Sequence, residues 1–78
     1  MKKRITVLLN DFNKIKKFCN EVSKFASEID IHKGRYVVCA KSIMGLYSLD
    51  LSEPIDVVIH TGMIDEIVRF NEIMEEFK

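Results

Sequence analysis

The sequence has no tryptophan, one proline and three glycines among its 78 residues. Such low contents exclude collagen-like and Pro/Gly-rich low-complexity chains. It also has no apolar run near the roughly 18 residues of a membrane-spanning helix. The apolar stretch behind the basic start, Ile5 to Leu9, is interrupted by Thr6 and is shorter than the roughly 7–15-residue core of a secretory signal. We therefore expect a cytoplasmic protein with no membrane partner.

A surplus of charge is missing as well, since 12 Lys and Arg residues balance 12 Asp and Glu residues. Phosphate backbones are bound by a basic excess, so this balance argues against direct nucleic-acid binding.

Cysteine is scarce: Cys19 and Cys39 form no CxxC pair, and no third Cys or His lies at zinc-ligand spacing. Each falls on an apolar stripe, so we predict reduced thiols that act as small core hydrophobes. No metal and no cofactor are expected.

Hydrophobic residues make up 47% of the chain and charged residues 31%, which is typical of a globular protein. The length allows one domain, and we predict a single domain over residues 1–78. A domain of this size buries about 60% of the surface that its unfolded chain exposes, so its core is thin.

The first half of the chain alternates between two periodicities. Ile5 to Leu9 has the period of two that is typical of a strand, and Asn10 or Asp11 is suited to cap the helix that follows. A helical stripe then predicts a helix from about Phe12 to Ser27. After it, two short apolar runs flank Lys33-Gly34, which predicts a hairpin turned by a glycine with positive φ.

The second half predicts three more elements. Ser42 is suited to cap a short helix over 42–49, which Gly45 weakens. Pro54 opens a half-buried strand over 55–60. A second long helix begins after Gly62. Its predicted stripe is Ile64, Ile67, Val68, Asn71, Met74 and Phe77.

The resulting order is β-α-β-β-α-β-α, an α+β fold with four short strands and helices on one face. We expect apolar side chains of the helices to pack against apolar side chains of the sheet and so to form the core. These residues are Phe18, Val22, Phe25, Ile67, Val68 and Met74 on the helices, with Val7, Val57 and Ile59 on the sheet.

No catalytic motif is visible, and His32 and His60 fit surface or sheet positions better than catalytic ones. The segment 41–49 is more informative. A short helix can bury only one face, yet four of five consecutive residues after Ser42 are apolar. An exposed apolar patch of this kind often marks a partner surface. A hydroxyl at the start of such a helix is also well placed for a phosphate.

The segment KSIMGLYSL at 41–49 resembles the regulatory-serine segment of the HPr family, the small phosphocarriers of the bacterial phosphoenolpyruvate:sugar phosphotransferase system. Ser23-Lys24-Phe25 resembles the end of that family's first helix, and the order of elements agrees over essentially the whole chain. The resemblance implies an open-faced β-sandwich, in which a four-stranded antiparallel sheet carries three helices on one face.

One departure from the family pattern bears on function. The phosphoacceptor histidine of HPr opens the first helix in a His-Ala-Arg-Pro context. Counting back from Ser23-Lys24-Phe25 without gaps, Asp11 occupies that position, followed by Phe12, Asn13 and Lys14. The chain thus resembles the catabolite-repression HPr-like proteins, which lack the acceptor histidine and keep the regulatory serine, although those proteins usually retain the Arg-Pro pair.

The resemblance implies a non-enzymatic regulatory protein of carbon catabolite control, phosphorylated reversibly at Ser42 by HPr kinase/phosphorylase. Ile43, Met44 and Tyr47 would then form the docking patch for that enzyme and for a catabolite-control transcription regulator. Two alternatives stay open. The chain could be a diverged binding module without phosphorylation, or a phosphocarrier that uses Asp11 as acceptor, with Lys14 as the nearby cation.

Overall fold

The computed structural model describes residues 2–42 and 51–78. The predicted short helix over 42–49 therefore lies outside the described residues, apart from Ser42. No helix within the described ranges is long and apolar enough to cross a membrane. The described elements are, in chain order, β1 (Lys2–Val7), α1 (Phe12–Val22), β2 (Glu28–Lys33), β3 (Tyr36–Cys39), β4 (Ile55–His60), α2 (Ile64–Met74) and a 3₁₀ turn (Glu75–Phe77).

The strands form one antiparallel sheet in the order β1-β4-β2-β3. Strand β4 is central: Val57 lies opposite Ile5 of β1 on one side and opposite Ile31 of β2 on the other. The predicted four-stranded antiparallel sheet is confirmed, and β1 and β3 are its edges.

Alternation along the strands decides which sheet face the helices cover. In β4, Ile55, Val57 and Ile59 are buried together with the inward side chains of both helices. Asp56 and His60 point to the opposite face, which the described helices leave open. Most of the predicted core residues are buried, namely Val7, Phe18, Val22, Phe25, Val57, Ile59 and Met74.

The hairpin between β2 and β3 turns through Gly34 and Arg35, one residue later than predicted. Gly34 has φ +57°, a conformation that glycine adopts without the steric cost that a Cβ would add. The predicted positive φ at this glycine is confirmed.

Helix α1 ends at Val22, whereas the periodicity predicted an end near Ser27. Lys24 and Phe25 each donate a backbone hydrogen bond to the carbonyl three residues earlier, at 3.2 Å, so the chain tightens and leaves the α-helix. Phe25 nevertheless stays buried, and its ring meets Phe70 edge-on with centroids 6.4 Å apart.

The predicted core face of α2 is wrong in part. Ile64 and Val68 are 68% and 49% exposed, while Phe70 and Met74 are fully buried. Apolar residues occur on two sides of this helix, and the side that contains Phe70 contacts the core because it buries the larger ring. Val68 therefore does not belong to the core, and Ile67 is half-buried.

The cysteines also differ from the prediction. Cys39 is exposed, because it pairs with Asp30 on the open face of the sheet. Cys19 is partly buried beside the core, and this burial raises the pKa of its thiol. Only Cys19 behaves as the expected small core hydrophobe.

Candidate functional site

Asp11 is the N-cap of α1. Its backbone is extended, with φ −135° and ψ 135°, and its Oδ1 accepts the N–H of Asn13 at 2.7 Å. Its carbonyl accepts the N–H of Ile15 at 3.0 Å, which begins the helical hydrogen bonds. The carboxylate is exposed and thus combines solvent access with a structural task at the helix start.

The surface next to Asp11 is apolar and basic. Phe12 is 60% exposed, and the ammonium of Lys16 lies 5.8 Å from the centre of its ring. Lys14 is half-buried. The sequence did not indicate that Phe12 is exposed, because this residue continues the apolar stripe that contains Ile15. Only its place in the first turn of the helix favours exposure.

The 3₁₀ turn at Glu75–Phe77 contacts α1 and the segment just before it. Leu8 donates its N–H to the carbonyl of Phe77 at 2.8 Å. Lys17 forms an ion pair of 2.9 Å with Glu76, and the hydrogen bond and charge of that carboxylate raise the pKa of Lys17. The 3₁₀ turn is therefore fixed beside the first turns of α1.

Both histidines lie on the open face of the sheet, as expected for sheet residues. Nε2 of His60 is 3.0 Å from Oδ2 of Asp30. His32 lies in β2 with its Nε2 buried, and this atom has no hydrogen-bond partner among the described residues. Neither imidazole belongs to α1, so neither takes the place of Asp11 at the start of that helix.

Ser42 follows β3 and is the last described residue before residue 51. It is exposed, and its N–H donates to the carbonyl of Cys39 at 3.1 Å in a turn. The ammonium of the preceding Lys41 donates to the carbonyl of Phe25 at 2.6 Å, which ties this turn to the segment between α1 and β2. The other predicted partner-binding residues, Ile43, Met44 and Tyr47, lie outside the described residues.

Metal chemistry has no obvious ligand set in this part of the chain. Within residues 2–42 and 51–78, no group of three or more His, Cys, Asp or Glu side chains could hold a metal ion. The two predicted phosphate sites are instead an exposed carboxylate, Asp11, at the start of α1 and an exposed hydroxyl, Ser42, in the turn after β3.

Comparison with known proteins decides the family. The model of the family "PTS HPr component phosphorylation site" matches residues 12–77. The chain belongs to the HPr family. This is the family of the HPr phosphocarriers of the phosphotransferase system, whose members interact with other proteins of that system. No protein of curated function matches the chain.

Solved HPr structures have the same fold. The chain is similar to HPr-C-His from Thermoanaerobacter tengcongensis, with 26% identity, a TM-score of 0.72 and coverage of 97% of this chain and 92% of that one. It is also similar in fold to the phosphocarrier protein HPr from Bacillus anthracis str. Ames, with 24% identity, a TM-score of 0.75 and coverage of 100% and 96%. The HPr fold expected from the sequence is confirmed.

Proposed function

We propose that this HPr-family chain is a non-enzymatic regulatory protein that acts through reversible phosphorylation at Ser42. The proposal is supported by the exposure of Ser42 and by Asp11, the carboxylate that the gap-free count from Ser23-Lys24-Phe25 puts in place of the phosphoacceptor imidazole of HPr. HPr kinase/phosphorylase is the proposed modifying enzyme, and the cytoplasm is the proposed compartment.

The chemistry at Ser42 is ordinary phosphoryl transfer. Its Oγ attacks the γ-phosphorus of ATP, the bond to the bridging oxygen of ADP breaks, and the hydroxyl proton passes to a base of the kinase. The product adds about −1.5 to −2 charges to a turn that contains one adjacent cation, Lys41. Because that ammonium already binds the carbonyl of Phe25, little rearrangement of the free protein is expected.

The added charge would change how partners recognise this turn. Ile43, Met44 and Tyr47 are the proposed docking patch, for the kinase and for a catabolite-control transcription regulator. An arginine beside a hydrophobic pocket on the regulator would read the phosphate and the apolar side chains together. In this scheme the phosphate acts as a local electrostatic switch.

A phosphocarrier that uses Asp11 is the second candidate, since Asp11 is exposed and the count along the sequence puts it at the family's acceptor position. Acyl phosphates in proteins do form on Asp. Here, however, one carboxylate oxygen already accepts the N–H of Asn13, and the nearest cation in sequence, Lys14, is half-buried. Helix capping alone explains this carboxylate, so we favour the regulatory function.

Phosphorylation by HPr kinase and ATP, followed by peptide mass mapping, tests the proposal. We expect one phosphate on the peptide that contains Ser42, none in Ser42→Ala, and unchanged labelling in Ser52→Ala, which removes another exposed serine. An authentic HPr serves as the positive control. An unmodified wild-type chain beside a phosphorylated control would contradict the proposal and favour a binding module without phosphorylation.

A further inference from the structure

The turn after β3 is fixed by burial only at its start. Ala40 is fully buried, and its N–H donates to the carbonyl of Ile29 at 2.8 Å. The next two residues, Lys41 and Ser42, are exposed. The N–H of Ser42 donates to the carbonyl of Cys39 at 3.1 Å, a local bond that closes the turn. Contacts other than burial therefore decide where the exposed end of the turn lies.

The side chain of Lys41 makes one such contact. Its ammonium donates to the carbonyl of Phe25, 16 residues earlier in the chain, at 2.6 Å. A lysine side chain loses rotamer freedom when it is held in one place, and its ammonium is strongly hydrated in water. The short, charge-assisted hydrogen bond offsets these losses. Lys41 therefore links the turn to the segment between α1 and β2.

Phe25 is a rigid attachment point for this link. It is 3% exposed, and its ring meets Phe70 edge-on while Arg69 lies over the same ring. A backbone carbonyl next to a side chain packed in this way has little freedom to move. The ammonium of Lys41 is thus held against the core, and the hydroxyl of Ser42 belongs to the next residue along the chain.

The position of that hydroxyl bears directly on phosphoryl transfer. The attacking oxygen has to lie in line with the leaving oxygen, at roughly 3–3.5 Å from the phosphorus. A displacement of about 1 Å can reduce the rate about 10²-fold. An exposed turn that moved among several positions would present Ser42 correctly for only part of the time. An anchored turn presents it in one position.

We propose that Lys41 is the positioning residue of Ser42: its ammonium, bound to the carbonyl of Phe25, holds the turn in the arrangement in which the kinase phosphorylates the hydroxyl. This role rests on the proposed function, because it concerns the same hydroxyl. Lys41 contacts neither ATP nor the reacting atoms in this scheme. A kinase that bound the charge of Lys41 directly would also need this lysine, but the order of the turn in the free protein would then not depend on it.

Phosphorylation kinetics of the full chain with HPr kinase and ATP provide the first readout. Lys41→Met keeps the stem and removes the ammonium, and we expect its kcat/KM to fall about tenfold. Lys41→Arg keeps a charged donor and should recover most of the loss. Lys24→Met is the matched control: it removes the same charge next to Phe25, from a side chain that is 54% exposed, and should keep the wild-type value.

Backbone ¹⁵N relaxation of the free chains provides the second readout. In the wild type we expect order parameters of about 0.85, the value of rigid backbone, for both Ala40 and Ser42. In Lys41→Met the value for Ser42 should fall below about 0.6, the range of flexible backbone. Ala40 should stay rigid in this variant, because its own hydrogen bond to Ile29 remains.

Three results would overturn this role alone. The first is an order parameter below about 0.6 for Ser42 in the wild type, a measurement that needs no variant. The second is wild-type kcat/KM in Lys41→Met, with Ser42 still phosphorylated. The third is slow phosphorylation of Lys41→Met with an unchanged order parameter, which would mean that the kinase binds the charge directly. A wild-type chain that the kinase does not phosphorylate would instead overturn the proposed function and this role together.

Discussion

At the scale of single residues, one aromatic side chain connects the end of α1 to α2. Phe25 is 3% exposed although it lies beyond the last turn of α1, and its ring contacts Phe70 edge-on. The guanidinium carbon of Arg69 lies 4.8 Å from the centre of the same ring. Phe25 therefore fixes the place where the chain leaves the helix layer and enters the sheet.

Truncation of Phe25 to Ala should lower the free energy of unfolding by about 3–5 kcal/mol, because the substitution leaves a cavity under α2. A small domain holds about 5–15 kcal/mol in total, so the effect should be large in urea denaturation. Phe12→Ala is the matched control, since Phe12 is 60% exposed. Its cost should stay below about 1 kcal/mol. Equal midpoints for the two variants would show that Phe25 does not contribute to the core.

Glu66 has a role that the sequence did not indicate. It is 3% exposed in α2, and its Oε1 accepts the N–H of Ser27 at 3.0 Å and the hydroxyl of Ser27 at 2.8 Å. Burial alone would raise the pKa of Glu66. The hydrogen bonds from Ser27 and the charge of Arg69 outweigh that effect, so the pKa falls below its ordinary value of 4.5.

This lowered pKa predicts how stability depends on pH. A carboxyl group whose pKa is lower in the folded state stabilises the fold above its unfolded pKa, and this contribution is lost as the pH falls through the folded pKa. The wild type should therefore lose stability below about pH 4.5 more steeply than Glu66→Gln. Denaturation midpoints from pH 7 to pH 3 measure the difference. Glu72→Gln, an exposed change on the same helix, should keep the wild-type slope. Identical slopes for Glu66→Gln and wild type would contradict the role of Glu66.

At the scale of elements, α1 depends on its cap. Asp11→Ala removes the acceptor of the Asn13 N–H and should cost about 0.5–2 kcal/mol in unfolding free energy, whereas Asp11→Asn keeps a capping oxygen and should cost much less. Thermal unfolding of the two variants checks the prediction. If Asp11→Ala unfolded at the same temperature as the wild type, the cap would not stabilise α1. That result would favour a functional role for the carboxylate.

Local signals predicted the starts and turns of elements better than their faces and ends. The helix cap and the positive φ of Gly34 depend on neighbours in sequence, so residue type indicates Gly34 directly and limits the cap to Asn10 or Asp11. The end of α1 depends on the route of Phe25 into the core, which no nearby breaker marks. The face of α2 was ambiguous because Ile64 and Val68 form a second apolar row, and only packing against the sheet distinguishes it from the row with Phe70.

At the scale of the whole molecule, periodicity predicted the order of elements along the chain, but it does not determine the order of the strands within the sheet. Alternation in β4 indicates which side chains face the helices, but it contains no information on which strand lies beside β4. The resemblance of 41–49 to the HPr family provided the fold, and the family match over residues 12–77 supports it independently. For the candidate site, residue type limited the cap to Asn10 or Asp11, and the structure shows Asp11. The assignment of Asp11 to the acceptor position rests on the count against the family pattern and stays a prediction.

The central claim is that this HPr-family chain accepts phosphate at Ser42 and not at the start of α1. Intact-mass measurement of the same wild-type protein after two reactions tests it most directly. One reaction uses HPr kinase with ATP, the other uses Enzyme I with phosphoenolpyruvate, and an authentic HPr is the control in both. We expect one added phosphate from the kinase and none from Enzyme I. The reverse result, with label from Enzyme I that disappears in Asp11→Ala, would contradict the account.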